Sequence, residues 1–300
     1  MEYVKKIIPL AAIVLLTVFQ SRACNMCGCQ TSLNYTGLLN YTGSNFLSLQ
    51  GTYSGMHTLD EFTGADIYSK YISTMLTGSA QIIKGRWDMQ AYVPYVFNSY
   101  HLADSDPFDV NGLGDIGWLN HIKILGSNDS SKANWNLFVK AGVEMPTGKF
   151  YSNYREEDVP PAMLAGSGSW DIMTGLRFSY FKNNVGVFAN YLFKYNTENS
   201  NNYKFGNQNI ATALVTYRIE AGKNSFTPLV GTIAEFINYD EFYGYDQHGT
   251  SGVNIYATLG LDFNTGDFNI GCNADMPLYS RYDNDASSVL RGSVHVGYSF

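Results

Sequence analysis

Three of the four cysteines crowd one short stretch, Cys24, Cys27 and Cys29 in Cys-Asn-Met-Cys-Gly-Cys, with Met26 among them. Thiolates beside a thioether suit a soft ion, copper or zinc. The same thiols in an oxidising compartment suit one disulfide and a spare thiol. Cys24 as the first residue after a cleaved leader suits lipid attachment. A covalent haem is disfavoured, because Cys-x-x-Cys is followed by Gly28 and not by His. The metal, disulfide and lipid readings stay open. The leader itself is clear. Lys5 and Lys6 precede an apolar run from Ile7 to Phe19, and Ser21-Arg22-Ala23 puts small residues at the cleavage positions. This pattern predicts a secretory signal peptide over residues 1–23.

The second group with chemical potential is spread along the chain: Asp88, Asp115, His121, Lys123, Lys140, Glu144, Asp171, Arg177, Lys194, Arg218, Asp262, Asp275, Arg291 and His295. Each falls on the polar side of a stretch that alternates apolar and polar residues. At the C-terminus Leu290, Val294, Val296, Tyr298 and Phe300 face one way, and Arg291, Ser293, His295, Gly297 and Ser299 the other. Val253 to Phe263 and Trp135 to Val143 repeat the alternation. Period two sustained over 9–12 residues argues strand, and at about the length that crosses a bilayer at a tilt.

Twelve such strands are expected, over 45–56, 70–83, 86–98, 114–125, 133–146, 169–181, 185–195, 205–219, 225–239, 251–264, 267–278 and 288–300. Short connections at 84–85, 126–132, 182–184, 220–224 and 265–266 alternate with long polar ones at 57–69, 99–113, 147–168, 196–204, 240–250 and 279–287. This predicts an all-β fold, a twelve-stranded antiparallel up-and-down transmembrane β-barrel of a Gram-negative outer membrane, with short turns on the periplasmic side. Residues 24–44 would form a lumen plug or a periplasmic tail, and 45–300 the barrel. A uniform apolar face opposite a charged one inverts the pattern of a soluble barrel.

Composition agrees. Charged residues are 15 % of the 300, aromatic residues are another 15 %, and there are 23 Tyr and 29 Gly. Mean hydropathy is −0.15. An acidic pI of about 5.2 argues against a nucleic-acid partner. The long loops hold fifteen acids, from Asp60 and Glu61 to Asp283 and Asp285. Few cations oppose them, Lys149, Arg155 and Arg281 among them, so the mouth should attract cations. His57, His101 and His248 lie in the same loops, where carboxylates could bridge through a divalent cation to lipopolysaccharide.

Enzyme chemistry finds little support. Phosphate-binding glycine loops and nucleophile elbows are absent, and Ser293 and His295 are two apart but face inward. The expected function is solute conduction, with charged inward groups for selectivity. A copper- or zinc-linked barrel and a sealed structural barrel are the alternatives. No cofactor is required for conduction.

Several motifs carry a family resemblance: Asn111-Gly112-Leu113-Gly114-Asp115-Ile116, Glu144-Met145-Pro146-Thr147-Gly148-Lys149, Gly166-Ser167-Gly168-Ser169-Trp170-Asp171, Ala274-Asp275-Met276-Pro277-Leu278-Tyr279 and Val296-Gly297-Tyr298-Ser299-Phe300. In this order they resemble the porin-like outer-membrane "transporter" family named after the meta-pathway of phenol degradation. The Cys-x-x-Cys-x-Cys cluster marks a variant of its general pattern. The resemblance implies a barrel that moves small solutes, contacts lipid and lipopolysaccharide, and is handed to the barrel-insertion machinery through Phe300. The residues alone also explain the motif glycines and prolines as punctuation at strand ends.

Overall fold

The computed structural model describes residues 44–59, 66–102, 108–127, 133–150, 160–283 and 286–300. Cys24, Met26, Cys27, Cys29 and the leader lie outside them. Twelve strands build the wall: β1 Phe46–Leu59, β2 Asp66–Ile83, β3 Trp87–Leu102, β4 Ile116–Ser127, β5 Asn134–Met145, β6 Asp171–Lys182, β7 Val185–Tyr195, β8 Gln208–Tyr217, β9 Asn224–Ile237, β10 Gly252–Thr265, β11 Phe268–Tyr282 and β12 Arg291–Ser299. Each pairs antiparallel with its sequence neighbours, and β12 returns to β1 in a register from Phe46↔Ser299 to Tyr53↔Gly292. The sheet is therefore closed, as expected.

Closure follows from the solvent. Lipid supplies no partner for a backbone N–H or C=O, so an open edge costs several kcal/mol per group. The alternation then sorts the side chains. Leu47, Leu49, Ile72, Leu76, Trp118, Ile122, Leu176, Val230, Leu259, Ile270 and Val294 face outward and are exposed. Ser48, Gln50, Thr52, Thr77, Gln90, Thr212 and Thr258 face inward and are buried. At the periplasmic end, rings of Phe226 and Phe263, Phe268 and Tyr298, and Tyr298 and Phe300 touch in an interfacial girdle. The amide of Phe300 is held by the carbonyl of Asn45 at 3.0 Å. The tight turns use left-handed residues where the strands reverse, Gly85 at φ 68° and Gly266 at φ 56°.

The wall is taller than the alternation suggested. Beyond the expected ends, β1 reaches Leu59, β3 reaches Leu102 and β11 reaches Tyr282. A further strand, Phe108–Leu113, pairs with the upper half of β3, while β4 pairs with the lower half. Above the lipid the outward face of this hairpin is polar at Asp109 and Asn111 while Val110 turns inward and is buried, so the ladder continues without an apolar outer face to mark it. Between the two segments the chain pinches at Gly114, whose amide bonds the carbonyl of Pro94 at 2.9 Å.

Inside, one belt crosses the barrel: Met75, Tyr92, Leu119, Met173, Leu192, Ile210, Ile233 and Tyr256, all buried and in one cluster. A second cluster, Met56, Tyr71, Met163, Tyr282 and Ala286, joins strand ends to the 147–168 connection. Position in the wall dictates tolerance to charge. Leu259→Arg, at the middle of the lipid face of β10, should cost about 2–4 kcal/mol, and Tyr279→Arg near the rim about 0–1. Equilibrium unfolding of the two variants from bilayers measures the difference; equal losses would contradict the assignment of the lipid band.

Candidate functional site

The lumen charges gather into groups. On one side Arg177 donates from Nη2 to Asp88 at 2.8 Å and meets Nδ1 of His121 at 3.2 Å through Nη1, with its guanidinium 4.1 Å from the Phe138 ring centroid. Lys140 donates to Asn190 at 2.6 Å. Across the lumen Arg291 bridges two carboxylates, donating from Nε to Asp275 and from Nη1 to Glu235, both at 2.8 Å, while lying 4.4 Å from the Tyr256 ring centroid. His295 bonds Asn269 at 2.7 Å and lies 3.5 Å from Asp262. Towards the outer rim Lys194 pairs with Glu144 and, at 3.1 Å, with Asp171. Pairing is what lets such groups sit away from water, since removing one partner strands the other charge.

Thirteen of the fourteen expected inward residues thus line the lumen; Lys123 is half-buried near its periplasmic end. Arg218 does not. It stands exposed at a break in the ladder with β9, between Thr216↔Leu229 and Ile219↔Phe226, 3.6 Å from Glu220. Its amide bonds the carbonyl of Asn184 across the turns, so the residue belongs to the periplasmic rim. Glu235 escaped the sequence reading. Its inward neighbours on β9 are Ile233 and Ile237, so no polar face drew attention to it.

Three of the family-like motifs converge on one latch. Asp115 accepts the Gly148 amide on Oδ1 at 2.8 Å, and the Ser167 amide and hydroxyl on Oδ2 at 2.6 and 2.8 Å. Ser169 donates its hydroxyl to Asp171 at 2.7 Å. Thr147 donates to the Gly114 carbonyl and accepts the Ile116 amide. Gly148 and Gly166 touch backbone to backbone: a Cβ on Gly166 would lie 2.6 Å from Cα of Gly148. Close approach, not a positive φ, is what demands glycine there. Among the motif glycines only Gly168, at φ 71°, is left-handed.

The latch holds the described end of the 147–168 connection inside the mouth. A single turn, Pro161–Met163, is followed by Leu164 and Ala165, and Ala162 to Ala165 are all buried. Asn98 of β3 donates to the Met163 carbonyl at 2.9 Å, and Met163 packs on Met56, Tyr71, Tyr282 and Ala286. The lumen is therefore narrowed from above by a fixed loop.

Outside the wall, Tyr203–Lys204, Asp240–Phe242 and Tyr245–Gln247 form a small three-stranded sheet. Asp240 is expected among the solvated loop acids but is buried there. It accepts from the Tyr203 hydroxyl at 2.5 Å and the Gly206 amide at 2.7 Å. Burial pushes its carboxyl up to about 7, against the opposing pull of those two donors. Glu241 is paired with Lys204 at 2.5 Å. Asp60, Glu61, Asp104, Asp106, Arg155, Glu156, Glu157, Asp158 and Asp285 lie outside the described residues.

A closed twelve-stranded barrel with a lipid band outside and paired charges within is a porin-like protein of the bacterial outer membrane. The chain belongs to the family described as "Putative MetA-pathway of phenol degradation", whose model matches residues 61–232. Among solved structures it is similar to an outer membrane channel from Pseudomonas putida F1, with 12 % identity over 86 % of this chain and 96 % of that one at a TM-score of 0.61. It is also similar to the CymD monoaromatic hydrocarbon channel, with 10 % identity over 94 % and 95 % of the two chains at a TM-score of 0.43. At these identities the likeness concerns the fold. No curated protein sequence matches the chain.

Asp240 gives the outer sheet a pH dependence. A carboxyl raised in the folded state favours folding most below its ordinary value near 4, and that contribution is lost as pH rises through about 7. Hydrogen exchange at 203–206 and 240–250, corrected for intrinsic rates, should therefore lose protection progressively between about pH 4 and 7 in the wild type and change little above that. Asp240→Asn should remove the dependence; the same slope in the variant would assign it elsewhere.

Proposed function

We propose that the protein is a narrow, non-enzymatic channel that conducts a small solute across the outer membrane. One observation carries this over a sealed barrel. Ser48 Oγ, Gln50 Oε1 and Ser54 Oγ on β1, Thr77 Oγ1 on β2 and Arg291 Nη2 on β12 are buried on the inward face without hydrogen-bond partners among the described residues. Ser48 stands opposite Thr77, and Gln50 opposite His295, so the row follows one wall. A dry lumen would leave each such group at a cost of about 1–3 kcal/mol. Water along this wall satisfies them, and a continuous water path is what a hydrophilic solute needs.

Selectivity in this reading comes from the paired charges beside the path and from the loop above it. Seven carboxylates (Asp88, Asp115, Glu144, Asp171, Glu235, Asp262 and Asp275) face five cations (Lys123, Lys140, Arg177, Lys194 and Arg291). The excess is negative, which favours cationic or neutral solutes. Catalysis is not supported by the lumen geometry. Ser293 gives its hydroxyl to Asn273, while His295 engages Asn269 and Asp262, so the two do not form a nucleophile–base pair. The outward row Val294, Val296, Tyr298 and Phe300 supports recognition of the C-terminus by the insertion machinery.

The test is planar-bilayer recording of the refolded full chain. The wild type should give small single-channel steps with a reversal potential on the cation-selective side. Met163→Gly should enlarge the steps by removing the side chain that packs across the mouth. Silence of both proteins would contradict conduction, and equal steps would contradict the role of the loop.

A further inference from the structure

A groove of about 410 Å3 lies on the outside of the barrel, lined by Tyr53, Gly55, Tyr68, Lys70, Ser99 and Val289 among others. The inward-facing Met56 and Ser69 contribute to its floor. Its origin is a register break where β1 meets the chain entering β12. Tyr53 pairs with Gly292 and Met56 with Ser288, so two β1 residues oppose three across the gap. The Val289 amide bridges the gap to the Gly55 carbonyl at 3.1 Å. Gly55 carries no side chain to fill the outward space. A Cβ there would lie 2.6 Å from Cγ2 of Val289. Val289 therefore settles over Gly55, and the exposed rings of Tyr53 and Tyr68 form the sides.

The height of the groove says what meets it. Lys70 stands opposite Gly55 in the β1–β2 ladder and opposite Ser99 in the β2–β3 ladder. One outward step towards the membrane centre come Tyr53, Ile72 and Phe97, which pair across the same three strands. The groove thus begins where the apolar band ends, on the long-loop side, which is the outer leaflet. Lys70 is exposed and makes no ion pair among the described residues. An exposed ammonium at headgroup depth, level with Gly55 and between Tyr53 on the membrane side and Tyr68 on the outer side, complements an amphiphile with an anionic head.

We propose that this groove is a lipid site for a phosphorylated outer-leaflet glycolipid of the lipid A type. Its phosphate sits at Lys70 beside Tyr68, and an acyl chain runs from the space over Gly55 against Val289 and Tyr53 towards the membrane centre. The site anchors the β1–β12 seam, where the ladder is interrupted.

Native mass spectrometry of the full-length protein tests this, released from micelles doped with equal amounts of diphosphoryl lipid A and phosphatidylglycerol. The wild type should retain one lipid A in preference to phosphatidylglycerol. Lys70→Glu should reduce retention by roughly tenfold or more. Gly55→Leu should reduce it with Lys70 intact, by filling the furrow. Lys223→Glu, in the exposed β9 hairpin at the periplasmic end, should retain lipid A like the wild type. Equal retention of the two lipids by the wild type, or unchanged retention by Lys70→Glu, would overturn the proposal. Should Gly55→Leu not fold, the Lys70→Glu comparison decides alone.

Discussion

The hydrogen-bonded seam between β1 and β12 is the constraint on which the rest depends. In lipid every backbone group on the wall needs a partner within the wall, so the first and last strands must meet. Once they do, the two faces of each strand have fixed fates. The outer face must be apolar at the depth of Leu49, Leu259 and Val294. The inner face is free to be polar, but its charges then sit away from bulk water. That is why Arg177 is found with Asp88, Lys194 with Glu144 and Asp171, and Arg291 with Glu235 and Asp275. These pairs are a consequence of closure as much as a device for selectivity.

The same seam carries the two features with functional meaning. On its inner face run Ser48, Gln50, Ser54 and Arg291, with polar atoms that find no partner among the described residues. On its outer face the register break opens the furrow over Gly55. Opposite lie the ion pairs of Arg177 and Lys194 and the latch of Asp115, Gly148, Gly166 and Ser167, which pins Met163 across the mouth.

The barrel was legible in the sequence because lipid imposes a strict period of two, and the C-terminal strand from Arg291 to Phe300 shows it plainly. What stayed hidden was whatever lipid does not pattern. The rim extension at Phe108–Leu113 turns Asp109 and Asn111 outward, so it lacks the apolar outer side that lipid demands. Glu235 is inward but flanked by Ile233 and Ile237, and Arg218 has the alternation of a strand residue but falls at a break in the ladder. Asp240 reads as one more loop acid, since nothing local announces that Tyr203 and Gly206 will enclose it. The motif glycines were visible, but their reason was not. Gly148 and Gly166 are far apart along the chain, and only the fold presses their backbones together.

Selective conduction depends most directly on the loop being seated inside the mouth in the native membrane. Asn98→Cys with Met163→Cys, in a chain whose Cys24, Cys27, Cys29 and Cys272 are replaced by Ser, probes that contact, since Asn98 holds the Met163 carbonyl at 2.9 Å. Oxidation of intact outer membranes should cross-link the pair nearly completely and leave the bilayer conductance unchanged. A pair that stays reduced in folded barrels, or one whose bond abolishes conduction, would contradict a loop that is both latched and compatible with an open path.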